Sequence, residues 1–430
     1  MQINKLVLEN FRCFEHLELD LHPRINAFVG VNGSGKTAIL EAIKYAVIGA
    51  LGQIKRAVPK MTEKSGSALN EKKDPKIERF SLGEFTQSHS VRIAGNMELG
   101  HEKFPFSREL TLANVKYSRK NYYEEGANVY RHINDSLQEN ANVELPLFAY
   151  HSTGRLFQED KPTKTDLNGA RINGYLNAQT AKSSQHFFKI WFDKRERGKE
   201  RYKKWNIEFD FSSFEKAKEM ICAFIPNCKA IEYDDLKFNE IILIFDNGDI
   251  IPYSMLSDGL RNLLGLVSDL AWRAATLNPW MGDRINEIHG VVLIDEVDLH
   301  LHPSWQRMVV PRLLAAFPNV QFFITTHSPQ VLSSISEENL FIIKDFNIQT
   351  GQFFTEGRDS NAILQDVFDL SKRPQEEQSM LNQFYQFLEI KQQQQALEIL
   401  EKLEKKWGSL DPEIVRANLY YQDLLDEIHS

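Results

Sequence analysis

Cysteine is scarce in this chain, which has three cysteines in 430 residues. Cys13, Cys222 and Cys228 form no CxxC pair, so the spacing of a cysteine zinc site and the density of a disulfide-stabilised domain are both missing. We therefore expect reduced thiols in a cytosolic protein.

Long apolar runs are missing as well. No stretch reaches the roughly 20 apolar residues that cross a bilayer. The opening segment, MQINKLVLENFRCF, lacks the apolar core of a signal peptide. These two absences predict a cytoplasmic protein with no membrane partner.

The chain also lacks an excess of positive charge. Its 51 Lys and Arg against 59 Asp and Glu give a net charge of −8, which excludes a uniformly basic nucleic-acid binder and leaves a local basic face open. The hydrophobic share of 42% and the charged share of 26% are those of a soluble globular protein with a sizeable core.

A phosphate-binding loop is indicated by residues 25–37. The apolar run INAFV precedes GVNGSGKT and a segment with apolar residues at helical spacing, which is the strand–loop–helix context of a P-loop. Glycines turn backbone N–H groups toward phosphates, a lysine neutralises the outer phosphates, and a threonine hydroxyl can hold Mg²⁺. The alternative is a chance glycine-rich turn. The predicted nucleotide-binding residues are Asn32, Gly33, Ser34, Gly35, Lys36 and Thr37, and Thr37 is also a predicted metal ligand.

Polar residues follow two later apolar runs. Asp295 and Glu296 come after the run at 291–294, where Asp295 is predicted to hold Mg²⁺ and Glu296 to orient or deprotonate the attacking water. His327 follows VQFFITT and is predicted to sense the γ-phosphate. The alternatives are surface acids that end a strand and a structural histidine.

A second anion-binding element is predicted at LSDG, residues 256–259. Ser257 and the backbone of Gly259 precede an amphipathic helix, and the N-terminus of a helix favours negative charge.

The order of these motifs resembles the ABC-type ATPase heads of the SMC, RecF and OLD-like group. This resemblance implies an α/β fold, with a central mostly parallel sheet, an antiparallel side sheet, a helical insertion and a helical C-terminal region. It implies ATP and Mg²⁺ as cofactors. It also implies head-to-tail dimers, in which the LSDG of one subunit closes over ATP bound by the other. The opening LENFRCF resembles the first strand of this group, which implies that Arg12 approaches the nucleotide.

The segment DEVDLHLH occupies the place of the D-loop in these heads. Asp298 is thereby implied to serve nucleotide binding at the dimer interface, and His302 stands where related heads carry a second aspartate. A metal site formed by His300 and His302 is the alternative. An extended segment would disfavour that site, because residues i and i+2 point to opposite faces.

Four further segments resemble the PtuA ATPases of Septu antiphage systems and related retron-associated ATPases. The resemblance implies a defence complex with a PtuB-like HNH nuclease partner, higher oligomers built from dimers, and contact with nucleic acid through the complex. His151 and Ser152 fall where related heads carry a Q-loop glutamine. The four segments are residues 144–155, 186–205, 357–374 and 411–417.

Four regions are expected along the chain. The two halves of the ATPase head are residues 1–155 and 241–350, with a helical insertion at 156–240 and a helical C-terminal region at 351–430. Three local patterns add detail: a polar loop at 52–79, an antiparallel sheet within 90–150, and a long amphipathic helical pattern at 384–408.

Residues 189–204 hold eight Lys or Arg against three Asp or Glu. A solvated helix face is the favoured interpretation, and a surface that faces nucleic acid or a partner is the alternative.

The leading hypothesis is a slow ATPase that controls a separate HNH nuclease in antiviral defence. The chain itself is predicted not to be a nuclease, because it shows neither the Toprim acidic motifs nor a His-Asn-His module. Two alternatives are a RecF-like DNA repair or recombination ATPase and an ATP-sensing scaffold with little hydrolysis.

Overall fold

The computed structural model describes residues 1–54, 69–81, 84–88, 90–113, 116–139, 141–156, 170–179, 185–351 and 353–429. These residues divide into two compact units, Met1–Gly357 and Arg358–Ser430. The strands of the first unit are β1 (Gln2–Phe11), β2 (Phe14–Asp20), β3 (Ile25–Val29), β4 (Ile77–Ser81), β5 (Glu84–Gln87), β6 (Ser90–Leu99), β7 (Glu102–Ala113), β8 (Lys116–Tyr122), β9 (Leu147–His151), β10 (Cys228–Asp234), β11 (Glu240–Phe245), β12 (Ile250–Pro252), β13 (Gly290–Ile294), β14 (Val320–Thr326), β15 (Leu340–Lys344) and β16 (Asn347–Gln349). Its helices are α1 (Lys36–Leu51), α2 (Ala127–Gln138), α3 (Gln185–Trp205), α4 (Ser212–Phe224), α5 (Asp258–Leu277), α6 (Pro303–Ala316) and α7 (Pro329–Leu332).

A six-stranded sheet in the order β16-β15-β3-β14-β13-β9 forms the centre of the first unit. Strands β15, β3, β14, β13 and β9 are parallel, and the edge strand β16 is antiparallel. Strands β3, β13 and β14 are buried along their full length, as expected of parallel strands that are covered on both faces. The loops that follow Val29, Ile294 and Thr326 therefore meet at one edge of the sheet.

Helix α1 packs between this sheet and a second sheet, which is antiparallel and has the order β2-β1-β6-β7-β8. It is buried around most of its circumference, as expected of a helix that is apolar on all sides. The predicted α/β fold with a parallel central sheet and an antiparallel side sheet is thus confirmed. One detail of the prediction is wrong, because β9 begins within residues 90–150 and pairs in parallel with β13.

The predicted insertion at residues 156–240 is helical in α3 and α4, but not at its end. Strand β10 begins at Cys228 and forms an antiparallel sheet in the order β10-β11-β12. Helix α3 packs against α5, where the rings of Phe187 and Trp272 are stacked with centroids 5.9 Å apart.

The polar region at 52–79 lies partly outside the described residues. Its described end forms turns and then strand β4, which begins at Ile77, so the predicted loop extends too far. Asp74 in these turns is fully buried, which is unusual for a carboxylate in a polar connection.

The second unit consists of four helices: α8 (Ser360–Phe368), α9 (Gln375–Glu389), α10 (Gln393–Trp407) and α11 (Pro412–His429). The pattern at 384–408 thus spans two helices. Between them, Lys391 has a φ of +56°, a left-handed conformation that ends α9. Leu397, which lies within this amphipathic pattern, is 38% exposed. The core cluster of this unit is formed by Leu381, Phe384, Ala396, Leu400, Leu403, Ile414 and Ala417.

Among the helices of the described residues, none has both the length and the hydropathy needed to cross a bilayer.

Candidate functional site

The predicted P-loop joins β3 to the first turn of α1. Gly33 and Gly35 have φ values of +81° and +105°, which glycine adopts without the steric cost that other residues would bear. The Lys36 Nζ donates hydrogen bonds to the carbonyl oxygens of Gly30 at 2.8 Å and Val31 at 2.9 Å. The loop therefore curls around its own lysine. Burial lowers the pKa of Lys36, and neighbouring carboxylates partly oppose this effect.

The same loop holds a buried hydroxyl. Ser34 is 6% exposed, and its Oγ has no hydrogen-bond partner among the described residues. A Cβ placed on Gly30 would lie 2.7 Å from this oxygen, so the backbone closes tightly around it. An unpaired buried hydroxyl is costly. Its position fits a hydrogen bond to a ligand oxygen such as that of a phosphate, while Asn32 is exposed at the tip of the loop.

Asp295 follows β13 and faces the start of α1. Its Oδ2 accepts a hydrogen bond from the Thr37 Oγ1 at 3.0 Å, and its Oδ1 accepts one from the Thr325 Oγ1 at 2.5 Å. Its backbone N–H donates to the carbonyl oxygen of His151 at 2.8 Å. Hydroxyl and carboxylate oxygens beside a phosphate-binding loop are the ligands that Mg²⁺ prefers, so Thr37 and Asp295 fit the predicted metal.

Glu296 has a φ of +50°, which is left-handed and uncommon for glutamate. Its backbone N–H donates to the Thr325 Oγ1 at 2.7 Å. One threonine hydroxyl, at the end of β14, thus fixes both acidic residues at the end of β13. Thr325 was not among the predicted site residues, although a polar residue that ends an apolar strand was a usable signal.

His327 follows β14 and is half-buried. Burial and the Lys36 ammonium lower the pKa of His327, and the carboxylates of Asp298, Glu296 and Asp295 oppose this effect. These charges place the imidazole in the same electrostatic environment as the P-loop lysine. The lowered pKa favours a neutral ring near pH 7.

The LSDG segment forms the start of α5. Ser257 is the exposed N-cap, and its hydroxyl accepts a hydrogen bond from the backbone N–H of Leu260 at 3.4 Å. A Cβ on Gly259 would lie 2.8 Å from the carbonyl oxygen of His300, so glycine permits the contact between this helix start and the D-loop. Among the described residues, no hydrogen bond or ion pair joins LSDG to the P-loop of the same chain.

The predicted D-loop is a series of turns and not an extended segment. His300 has a φ of +59°, so the geometric reason that was given against a shared metal site is wrong. His302 instead caps α6, because its Nδ1 accepts a hydrogen bond from the Ser304 backbone N–H at 3.3 Å. No cluster of metal-ligating side chains was found among the described residues. The Asp298 Oδ1 accepts a hydrogen bond from the Thr326 Oγ1 at 2.6 Å, which ties the D-loop to β14.

Arg12 lies beside helix α1. Its Nε and Nη2 are both 3.0 Å from the Asp74 Oδ1, and its Nη2 is 3.8 Å from the Glu41 Oε2. Burial lowers the pKa of Arg12, but the ion pairs outweigh burial and the net direction is upward. The contacts place Arg12 against the helix that begins with Lys36. The buried Asp74 that binds Arg12 was not predicted from the sequence, because its neighbours in the polar region give no sign that this carboxylate is buried.

His151, at the position that related heads give to a Q-loop glutamine, lies in a buried charged network. Its imidazole is buried, and its Nε2 lies 3.2 Å from the Asp269 Oδ2 on α5. The Arg273 Nε donates to the same oxygen at 2.8 Å, and the Arg273 Nη1 donates to the carbonyl oxygens of Gly174 and Leu176. This buried network joins α5, the helix that begins at LSDG, to strand β9 beside β13. The Ser152 Oγ accepts a hydrogen bond from the backbone N–H of Gly154 at 3.2 Å.

Comparison with known families gives one match that covers most of the chain. Residues 25–333 match the family described as "AAA domain, putative AbiEii toxin, Type IV TA system". This span includes the P-loop, both acidic residues, the LSDG segment and His327.

Two relatives and one solved structure extend this comparison. The chain is 26% identical to "Retron Ec83 probable ATPase" of Escherichia coli, over 97% of this chain and 86% of the relative. It is 24% identical to "Septu protein PtuA" of Bacillus thuringiensis, over 86% of this chain and 85% of the relative. The SMC head domain from Thermotoga maritima aligns with 18% identity and a TM-score of 0.43, over 82% of this chain and 100% of that chain.

Proposed function

This chain belongs to the AAA-domain family that matches residues 25–333, and on this basis we propose that it is an ATPase of an antiphage defence system. The observation that carries the proposal is the convergence of Lys36, Thr37 and Asp295 at one edge of the parallel sheet. The similarity to retron and Septu ATPases along most of the chain supports the role in defence.

The proposed site divides the work among neighbouring side chains. Lys36 binds the outer phosphates, and Thr37 and Asp295 hold Mg²⁺, which when bound neutralises phosphate charge. Glu296 accepts a proton from the attacking water, and His327 contacts the γ-phosphate. The bond between Glu296 N–H and Thr325 supports this assignment, because a general base must be held in one position. The remaining proposed nucleotide contacts come from Arg12, Asn32, Gly33, Ser34 and Gly35.

We propose that ATP is enclosed by two subunits in a head-to-tail dimer. Ser257 and Gly259 of one subunit then close over the P-loop of the other, with Asp298 at the interface. Two exposed apolar side chains support this arrangement, since Val31 in the P-loop is 65% exposed and Met255 ahead of LSDG is 69% exposed. Both side chains would be covered if LSDG of one subunit closed over the P-loop of the other.

The defence function further requires an effector. We propose a separate HNH nuclease of the PtuB kind, higher oligomers built from the dimers, and no nuclease activity in this chain. The proposal rests on the similarity to Septu PtuA, which covers 86% of this chain.

The shared site can be tested by mixing two inactive variants. Lys36→Ala removes phosphate binding, and Ser257→Arg places a bulky cation at the exposed helix start. A mixed dimer has one site with both defects and one site with neither, so mixing should restore part of the ATPase activity. Ser118→Arg is the matched control, because Ser118 is an exposed serine on edge strand β8. Its activity should equal that of the parent.

Two outcomes would contradict the proposal. Full activity of Ser257→Arg alone would remove LSDG from the site. If mixing restores nothing although mixed dimers form, a covalently linked dimer with a single Ser257→Arg defect separates two cases. Half activity of that linked dimer would indicate sites within one chain, and complete loss would indicate that both shared sites must be intact.

A further inference from the structure

A groove lies between the C-terminal half of α3 and the end of α5, far along the sequence from the P-loop. Its volume is about 430 Å³, within the range of about 300–1,000 Å³ that is usual for ligand sites. Lys194, Gly198, Arg201 and Trp205 line one side at the spacing of a single helical face. The buried indole of Trp272 lies on the α5 side.

The charge of this groove has one sign. The described residues that line it include the cations Lys194, Arg195 and Arg201, and they include no Asp or Glu. This composition is unexpected in a protein with a net charge of −8. The acids Glu208 and Asp210 line a neighbouring cleft, which shares Tyr202, Phe209 and Phe211 with this groove.

The basic residues of α3 fall into two sets. Arg197 and Lys199 form ion pairs with Asp193 at 2.5 Å and Glu215 at 2.6 Å, as expected of a solvated helix face. Lys194 and Arg201 line the groove and form no ion pair with any described residue. The favoured interpretation of residues 189–204 as a solvated face therefore holds for part of the helix and not for its groove side.

Aromatic rings line the same groove as these cations. The rings of Tyr202 and Phe209 are stacked with centroids 5.3 Å apart, and the Arg195 guanidinium lies 5.3 Å from the centroid of Phe209. The exposed fraction is 61% for Trp205 and 45% for Phe209. Indole and phenyl surface in water is unfavourable, so this arrangement favours a ligand that covers the rings while its negative charge meets the cations.

We propose that the groove binds single-stranded nucleic acid. Unpaired bases stack on Trp205 and Phe209, and phosphates contact Arg201 and Lys194. A duplex fits less well, because its bases are already stacked on one another and offer no free faces. The lining supplies cations and aromatic faces without carboxylates, which suits phosphate and base better than a peptide. This binding does not depend on the proposed ATPase activity.

The test is fluorescence anisotropy with the full chain at low salt, without nucleotide. The probes are fluorescein-labelled oligo-dT and oligo-U of about 12 nucleotides, a length within the range of single-strand sites, and a hairpin duplex. We expect oligo-dT, oligo-U or both to bind more tightly than the hairpin duplex. The ratio of the affinities for oligo-dT and oligo-U distinguishes DNA from RNA. Trp205→Ala should weaken binding about tenfold or more, and Trp205→Phe should retain most of the affinity.

Arg201→Gln tests the phosphate contact separately. It should reduce the slope of log K against log salt concentration by about 0.7, the value for one contact with a single strand. The matched controls are Tyr420→Ala and Arg416→Gln on α11, whose side chains are 51% and 63% exposed. Both controls should bind like the parent.

Three results would overturn the proposal. The first is tighter binding of the duplex than of either single strand. The second is unchanged affinity and salt slope in Trp205→Ala and Arg201→Gln. The third is binding of an acidic peptide that oligo-dT and oligo-U do not displace, which would make the groove a protein-docking surface.

Discussion

Replacing Thr325 with valine tests how the site holds its two acidic residues. The Thr325 side chain is fully buried, and valine has nearly the same shape. The change removes the hydroxyl that donates to Asp295 and accepts from the Glu296 backbone N–H. The P-loop side chains, Lys36 and Thr37, are untouched.

The expected loss of stability follows from the two hydrogen bonds that the variant lacks. A hydrogen bond to a charged group contributes about 1.5–3 kcal/mol, and a buried N–H left without a partner costs about 1–3 kcal/mol. The added methyl group recovers about 1 kcal/mol. We therefore expect Thr325→Val to lower the free energy of unfolding by about 3 kcal/mol. The kcat for ATP should fall by about 10-fold to 100-fold, as when the partner of a metal ligand is lost.

Urea denaturation and steady-state ATPase kinetics measure these two effects. Thr355→Val is the matched control, because Thr355 is equally buried and its Oγ1 donates to the neutral carbonyl oxygen of Ile335 at 2.8 Å. The control should lose about 1 kcal/mol of stability and keep its kcat. If Thr325→Val keeps the parent kcat and urea midpoint, the hydroxyl does not organise Asp295 and Glu296.

Three further changes test other parts of the site. Lys36→Ala should weaken ATP binding at least about tenfold, because the phosphates lose a charge-assisted partner; calorimetry measures this, and unchanged affinity would remove the P-loop assignment. Glu296→Gln should slow hydrolysis by about 100-fold or more while ATP stays bound, so light scattering should detect a persistent dimer; hydrolysis at the parent rate would exclude Glu296 as the base. Burial raises the pKa of Asp269, but Arg273 and His151 outweigh burial and the net pKa lies below its usual range. A depressed carboxyl pKa contributes stability that is present above the unfolded pKa of about 4 and is lost as pH falls toward the folded pKa. Asp269→Asn should therefore lower the free energy of unfolding at pH 7 and show a shallower decline below about pH 4; parallel pH profiles for parent and variant would contradict this.

The sequence by itself determined the parts of the site that lie within short segments. Gly33, Gly35 and Lys36 are close in the chain, and the backbone conformations of the loop follow from residue type. Apolar runs predicted β3 and β13, and parallel strands bring their carboxyl ends together. Asp295 could therefore be predicted to lie opposite the P-loop, although the two are distant in sequence.

Tertiary structure decided which other side chains hold the site residues in position. Asp74 holds Arg12, Thr325 holds Asp295 and Glu296, and Asp269 binds His151 because packing brings separate segments into contact. The break at 390–392 depended on the conformation of one lysine, and hydrophobic periodicity continues across such a break. Packing also decided the charge of the groove beside Trp205. The sequence shows where the cations are, but only their neighbours in the folded chain show whether a carboxylate neutralises them.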